Sequence, residues 1–258
     1  MRVITLNANG IRSAQRKGLF EWLPQQGADL LCLQETKCQR ADLVEEATYV
    51  PPGWMAFFSD AKKKGYAGVA VYTRKQPDEV LTTLGRREFD DEGRYLEVRF
   101  GRLSIVSLYM PSGSAGPERQ ASKDRFLKFF LPKLREWRAS GREYVICGDW
   151  NVAHRNVDLK NWRSNQKNSG FLPHERAWLD VVFGETGFVD AYRHLHPTAE
   201  GESYTWWSNR GKAYAKNVGW RIDYQVITPG LRDTVERASI YKDTRFSDHA
   251  PLVMDYAT

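Results

Sequence analysis

Glu143-Tyr144-Val145-Ile146-Cys147-Gly148-Asp149-Trp150-Asn151 is a strand-like apolar run, over 143–148, that ends in a polar loop. The pattern repeats along the chain. Leu33-Gln34-Glu35-Thr36-Lys37 closes a run over 29–34, Tyr109-Met110-Pro111 closes one over 103–109, and Ser247-Asp248-His249 stands beside one over 251–255. A single such end says little, because strands commonly finish in polar loop residues. The set in this order, with Arg221-Ile222-Asp223 opening a run over 222–227, places carboxylates, an amide, a phenol and an imidazole at strand ends, a constellation suited to phosphodiester chemistry.

Further strand-like runs lie over 2–7, 67–73 and 95–100, and Tyr95-Leu96-Glu97-Val98-Arg99-Phe100 alternates as a half-buried strand should. Helical patterns separate them. Ser13 is expected to cap a helix with Leu19, Phe20 and Leu23 on one face; Phe126, Phe129, Phe130, Leu134 and Trp137 mark a second; Pro173 suits the first turn of a third that carries Trp178, Val181 and Val182. This alternation, with a hairpin-like pair over 95–109, argues a mixed α/β fold. Motifs spread over all 258 residues read as one domain, 1–258.

The formal charge of +6 favours a polyanionic partner without identifying one. No apolar stretch approaches the roughly 20 residues that a spanning helix needs. Met1-Arg2-Val3-Ile4-Thr5-Leu6 reads as a first strand, not a signal peptide. Cys32 and Cys147 sit in apolar runs, as buried reduced thiols do, and spacings for structural zinc are missing. A cytoplasmic monomer is expected, nucleoid-associated if the source is bacterial, with no membrane partner. Lys62-Lys63-Lys64 reads as a solvated loop, and His154, His174, His194 and His196 as structural or surface residues.

Leu6-Asn7-Ala8-Asn9-Gly10-Ile11-Arg12, Gly65-Tyr66-Ala67-Gly68-Val69, Asn165-Gln166-Lys167-Asn168-Ser169-Gly170-Phe171 and Asn217-Val218-Gly219-Trp220-Arg221-Ile222-Asp223-Tyr224 join the four strand-end motifs. In this order they resemble the exonuclease III family of apurinic/apyrimidinic (AP) endonucleases, within the endonuclease/exonuclease/phosphatase superfamily that includes pancreatic deoxyribonuclease. The resemblance runs nearly end to end. It implies a deoxyribonuclease-like four-layer α/β sandwich, two facing mixed β-sheets flanked by helices. One departure stands out: Asn9 occupies a position where many relatives are acidic, which removes a hard anionic ligand for a second metal.

Folding should bring Glu35, Asp149, Asp223 and Asp248 to one rim, where a divalent cation offsets their repulsion. Mg²⁺ suits an all-oxygen set that shares substrate phosphates, and Mn²⁺ can substitute. Glu35 is the first expected ligand, with the Asn7 amide beside it; the resemblance adds Asp248, and Asp149, Asn151 and His249 complete the metal neighbourhood. Phosphodiester hydrolysis also needs an in-line water and stabilised phosphate oxygens. Asp149 is expected to orient and deprotonate the water, Asn151 to position it, His249 to contact the phosphate under the control of Asp223, and Tyr109 to bind a phosphate oxygen or settle the leaving group. Whether Asp149 or His249 is the base stays open, since both arrangements use these residue types.

Residues 203–222 interleave Tyr204, Trp206, Trp207, Tyr214 and Trp220 with Arg210, Lys212, Lys216 and Arg221 and contain no acid. Basic residues hold phosphates and aromatics flank extruded nucleotides; Trp207 is expected instead to fill core. By resemblance, Trp206, Trp220 and Ile222 wall a sugar pocket, Arg210 enters the duplex, and Asn165, Lys167, Asn168 and Ser169 form the opposite wall. Arg12, Lys37, Tyr66, Lys216 and Asn217 are further expected DNA contacts. The small Ser169 is compatible with an abasic nucleotide. The implied activity is Mg²⁺-dependent cleavage of double-stranded DNA on the 5′ side of an abasic site, with trimming of blocked 3′ ends. Rival readings are a 3′ exonuclease or 3′-phosphatase on the same scaffold, a lipid or small-phosphoester phosphodiesterase, and a non-catalytic DNA-binding module.

Overall fold

The computed structural model describes residues 1–43 and 46–257. Two six-stranded sheets face each other. The first runs Val235–Ile240, Leu252–Tyr256, Arg2–Asn7, Leu30–Gln34, Val69–Thr73, Met55–Ser59, and the second Glu79–Leu81, Tyr95–Phe100, Leu103–Tyr109, Glu143–Asp149, Asp223–Ile227, Val189–Asp190. Each sheet has one parallel pair at its centre, Arg2–Asn7 with Leu30–Gln34 and Leu103–Tyr109 with Glu143–Asp149; the other pairings are antiparallel.

Side chains alternate between the two faces of each strand. Leu30 and Cys32 point into the core between the sheets, whereas Leu31 and Leu33 pack outward with Leu19, Phe20 and Leu23. In Glu143–Asp149, Val145 and Cys147 face the other sheet, while Tyr144 and Ile146 meet Phe126, Phe130 and Trp178 from the helices Pro117–Ala139 and Pro173–Phe183. Strands covered on both faces read as unbroken apolar runs, which is why they stand out in the sequence. The result is the expected four-layer sandwich.

Edge strands were not anticipated. Met55–Ser59, Glu79–Leu81 and Val235–Ile240 are largely part-exposed and lack a continuous apolar signal. Ser13 is not a cap: the helix starts at Ile11, because Gly10 and Ile11 donate their amides to the carbonyls of Glu35 and Thr36 at 2.8 and 2.9 Å, and Ser13 lies within it. Val181 is only half-buried, and Leu179 takes the inward position on Pro173–Phe183.

A parallel pair sends both its strand ends to one rim, and antiparallel neighbours start there. Asn7, Glu35, Tyr109 and Asp149 therefore meet Asp223, which is paired with Asp149, and the segment before Leu252 that carries Asp248 and His249. The close packing of the second sheet depends on Gly148, where a Cβ would sit 1.9 Å from the Leu108 carbonyl oxygen on the adjacent strand. Gly148→Ala should lower unfolding free energy by about 3 kcal/mol or more, read from urea denaturation. A loss under about 0.5 kcal/mol, the ordinary scale of a surface change, would mean the strands part easily there.

Candidate active site

Asn7 is fully buried, and its Nδ2 donates to Glu35 Oε1 of its own sheet and to Asp149 Oδ2 of the other, both at 2.9 Å. Its Oδ1 accepts from the Asn9 amide at 3.0 Å, so the nitrogen faces the carboxylates. Asn9 in turn donates to Asp248 Oδ1 at 2.9 Å and accepts from Lys37, whose Nζ lies 2.8 Å from Glu35 Oε2. Glu35, Lys37, Asn9 and Asn151 all have positive φ, between 45° and 53°, at the points where the chain leaves a strand or turns back into the site. Such conformations cost non-glycine residues energy and persist only where surroundings fix them.

His249 Nδ1 is 2.8 Å from Asp223 Oδ2, and its Nε2 is 3.9 Å from Asp149 Oδ2. Ser247 holds this segment on the first sheet by donating to the Asn7 carbonyl at 2.6 Å. Asp149 Oδ1 accepts from the Asn151 amide at 2.8 Å, and Asn151 Nδ2 donates to the Met110 carbonyl at 2.9 Å, next to Tyr109. The Arg94 guanidinium stacks 4.7 Å from the Tyr109 ring centre and donates to its carbonyl at 3.0 Å.

Charges are shared unequally. Burial and the neighbouring Asp223 push the Asp149 carboxyl up to about 7. Burial alone would lower His249, but the Asp223 carboxylate overrides it and holds the imidazole at about 10. Burial works against Glu35 too, yet Lys37 keeps it below the usual carboxylate range; His249 and Asn9 do the same for the half-buried Asp248. Burial and then Glu35 keep the Tyr109 phenol protonated well above its ordinary value. At neutral pH the rim thus has a hydrogen-donating phenol and imidazolium, two settled carboxylates and one carboxyl poised near neutrality.

The donor set fits a hard divalent cation. Among the described residues Asp223 Oδ1 is buried without a hydrogen-bond partner, and its carboxylate lies within 4.8 Å of that of Asp149; His249 completes this cluster but, protonated, is not a ligand in it. Glu35 and Asp248, both ionised, offer oxygens beside them, as a cation that takes only oxygen ligands requires.

These groups open on a cleft of about 650 Å³. Among the expected residues, Glu35, Lys37, Tyr109, Asp149, Asn151, Asp248 and His249 line it together with Lys167, Asn168, Ser169, Trp206, Trp220 and Ile222. Trp206 Nε1 donates to Asp248 Oδ2 at 3.1 Å, which ties the aromatic wall to the carboxylates. Asn165 stands behind the wall, accepting from Asn168 at 2.8 Å. Tyr66 lies behind Tyr109, its hydroxyl accepting from Arg94 at 3.0 Å. Arg12, Arg210 and Lys216 are exposed outside the cleft, and both ends of the Asn217 amide hold its own loop, to Trp207 Nε1 at 3.0 Å and the Gly201 carbonyl at 2.9 Å. Trp207 is core, 1% exposed. His154 and His174 pair with Asp180 and Asp124, at 2.7 and 3.0 Å, away from the cleft.

Asn9, Arg94 and Ser247 were not anticipated in these supporting roles, nor was the fully buried ion pair of Lys123 with Glu175 at 2.7 Å. Lys123 left a trace: it occupies the buried helical stripe with Phe126, Leu127, Phe130 and Leu134, where a charge needs a partner.

Residues 4–249 match the model of the Endonuclease/Exonuclease/phosphatase family. The chain belongs to this family. Within it, the chain is similar to an exodeoxyribonuclease of Bacillus subtilis (strain 168), 38% identical over 253 residues that cover 98% of both chains. It is 36% identical over 258 residues to a DNA-(apurinic or apyrimidinic site) endonuclease of Dictyostelium discoideum, covering 98% of this chain and 69% of that one. The solved structure of an AP endonuclease from Archaeoglobus fulgidus superposes with a TM-score of 0.90 at 28% identity over the whole of both chains. The buried acidic and histidine cluster is that of a metal-dependent hydrolase of the Endonuclease/Exonuclease/phosphatase family.

The raised groups give the metal-free protein a defined pH dependence. Asp149 binds its proton more tightly when folded, so its favourable contribution is complete below the ordinary 3.8 and is lost as pH rises through about 7. The contribution of His249 is complete below the ordinary 6.5 and is lost as pH rises through about 10. Both act in one direction, each by at most about 1.4 kcal/mol per pH unit. Urea midpoints measured in EDTA should therefore fall from pH 7 to 10 in Asp149→Asn, where the coupling of the two groups is absent, and fall less in Asp149→Asn/His249→Gln. Equal slopes for the two proteins would remove His249 as the source.

Proposed function

We propose that this chain is a Mg²⁺-dependent DNA repair hydrolase that cleaves the backbone on the 5′ side of abasic sites in double-stranded DNA and leaves a 3′-hydroxyl. The observation that carries the reading is one cleft in which Glu35, Asp149 and the His249–Asp223 pair face an aromatic wall of Trp206 and Trp220, with Ile222 and Ser169 beside it. The names of the similar proteins from Bacillus and Dictyostelium support it. Removal of 3′-phosphates and other 3′ blocks, and 3′ to 5′ exonuclease action, would use the same residues. The reading includes action as a monomer in the cytoplasm, on the nucleoid in a bacterial source; among the described residues no helix is long and apolar enough to cross a membrane.

Asp149 is the base in this mechanism. Its carboxylate lines the cleft, with Oδ2 held by Asn7 and Oδ1 by the Asn151 amide, a fixed acceptor for a proton from the attacking water. His249, held protonated by Asp223, directs its Nε2–H into the cleft toward a non-bridging phosphate oxygen, an electrostatic role rather than a basic one. Tyr109 donates to the same phosphate or to the leaving oxygen. Asn151, fixed through its amide to Asp149, orients the attacking water. Lys37 and Lys167 offset backbone charge at the mouth of the cleft. Glu35, with Asp149 and Asp248, would hold Mg²⁺, with Mn²⁺ able to replace it, and the ion when bound would neutralise charge developing on the phosphate and the departing alkoxide.

Asp149→Asn should lower kcat on an abasic duplex by about 10²- to 10⁴-fold with DNA affinity retained. Glu35→Ala should be nearly inactive and recover in part at high Mg²⁺, and EDTA should abolish wild-type cleavage. Retention of kcat within tenfold by Asp149→Asn contradicts the base assignment; full wild-type activity in EDTA contradicts the metal.

Ser169 tests the pocket. It lines the cleft beside Gly113, where an added Cβ would come within 2.5 Å of the Ser169 hydroxyl. Ser169→His should reduce abasic incision at least tenfold, about 1.4 kcal/mol of transition-state stabilisation, and spare 3′-phosphate removal. Equal loss on both substrates would instead indicate general damage, and no loss would place the abasic sugar elsewhere.

A further inference from the structure

Beneath the cleft, Lys123 and Glu175 form an ion pair at 2.7 Å in which both side chains are 0% exposed. Lys123 Nζ also donates to the Asn151 carbonyl at 2.7 Å. The other oxygen of Glu175 accepts from the amides of Gly170 at 2.7 Å and Leu172 at 3.0 Å. The Ala153 amide closes the circuit by donating to the Gly170 carbonyl at 2.8 Å. Gly170 is wedged in place: a Cβ there would lie 3.1 Å from the Asn151 oxygen and 3.3 Å from the Trp220 ring.

A buried ion pair is often no more stabilising than apolar residues of the same volume, so stability alone does not explain this one. What it does hold is unusual. Asn151 has a left-handed backbone, φ 53°, and its amide, side chain and carbonyl are each committed, the last to Lys123. The wall that contains Ser169 and Gly170 is fixed through Glu175. We propose that Lys123 and Glu175 are positioning residues that lock the water-orienting Asn151 to the Ser169–Gly170 wall, so that the chemical centre and the sugar pocket move as one body. The role assigned to Asn151 rests on the proposed hydrolase function; the mechanical link does not.

The test is the double variant Lys123→Met/Glu175→Gln, which removes both charges while the introduced glutamine keeps a carbonyl for the Gly170 and Leu172 amides. Its kcat should fall at least tenfold on an abasic duplex and on the small diester bis(p-nitrophenyl) phosphate, with KM for the duplex within threefold, and hydrogen exchange at the Ala153 and Gly170 amides should quicken at least tenfold. Because a loss of folded protein also lowers apparent kcat at unchanged KM, kcat is referred to the folded fraction measured by circular dichroism. Should the double variant not fold, Glu175→Gln keeps an acceptor for the Gly170 and Leu172 amides but removes the ion pair to Lys123; kcat should then fall at least threefold. A kcat within twofold of wild type, or unchanged exchange, overturns the proposal. Wild-type protein that cleaves the small diester but not the abasic duplex fails the functional reading alone, and the pair is then judged on the diester. If it cleaves neither, the functional reading falls and the exchange rates decide the link.

Discussion

Negative charge gathered where two sheets meet is the constraint that organises this molecule. Glu35, Asp149, Asp223 and Asp248 converge at one rim, and two unit charges 4 Å apart repel by about 4 kcal/mol at an effective dielectric constant near 20. The chain answers with individually placed partners. Asn7 spans Glu35 and Asp149, Lys37 pairs with Glu35, Asn9 and Trp206 bind Asp248, and His249 stands beside both Asp223 and Asp149. The residual imbalance falls on Asp149, whose carboxyl in the metal-free protein is pushed up by burial and by Asp223.

Such an arrangement works only if the two sheets cannot slide. Apolar side chains between layers tolerate small shifts, whereas hydrogen bonds do not. Between the sheets Gln34 Nε2 donates to Ser107 at 2.9 Å and Ser107 to the Leu33 carbonyl at 2.9 Å; further along, Gln225 donates to the Val3 carbonyl at 3.0 Å and accepts from Tyr256 at 2.8 Å. All four side chains are buried, and leaving one of them unpaired would cost about 1–3 kcal/mol. Sliding the sheets would break several at once. Polar residues inside otherwise apolar strands therefore fix the distance from Glu35 to Asp149 as surely as the residues at the rim do.

The same physics explains what the sequence disclosed. Central strands, buried on two faces, leave long apolar runs, and their ends mark the rim; hence Glu35, Tyr109, Asp149 and Asp223 were legible from position alone. Edge strands such as Val235–Ile240 bury one face and leave a mixed pattern. The aromatic wall of Trp206, Trp220 and Ile222 was legible through the family resemblance, since aromatic type alone does not separate these residues from the core Trp207. Arg12, Arg210 and Lys216 sit on the surface outside the cleft, where sequence offers type and charge but no direction. Glu175 was beyond reach for another reason: it is a plausible surface residue on its own helix, and although Lys123 stands in an apolar stripe, only the docking of Pro117–Ala139 against Pro173–Phe183 makes the two partners.

Asn9 shows how one atom alters the electrostatics. Its amide nitrogen donates to Asp248 while its oxygen accepts from Lys37, so the residue relays between a carboxylate and an ammonium without adding charge. A carboxylate at this position has no hydrogen to give Asp248; it would face that group oxygen to oxygen and raise the local negative charge by one. Lys37, already paired with Glu35, would then have two carboxylates to satisfy. The charge that a second cation would neutralise is therefore missing from this side of the cleft; His249 does most to keep Asp248 ionised, and the neutral partners Asn9 on one oxygen and Trp206 on the other add to it and fix the carboxylate in place.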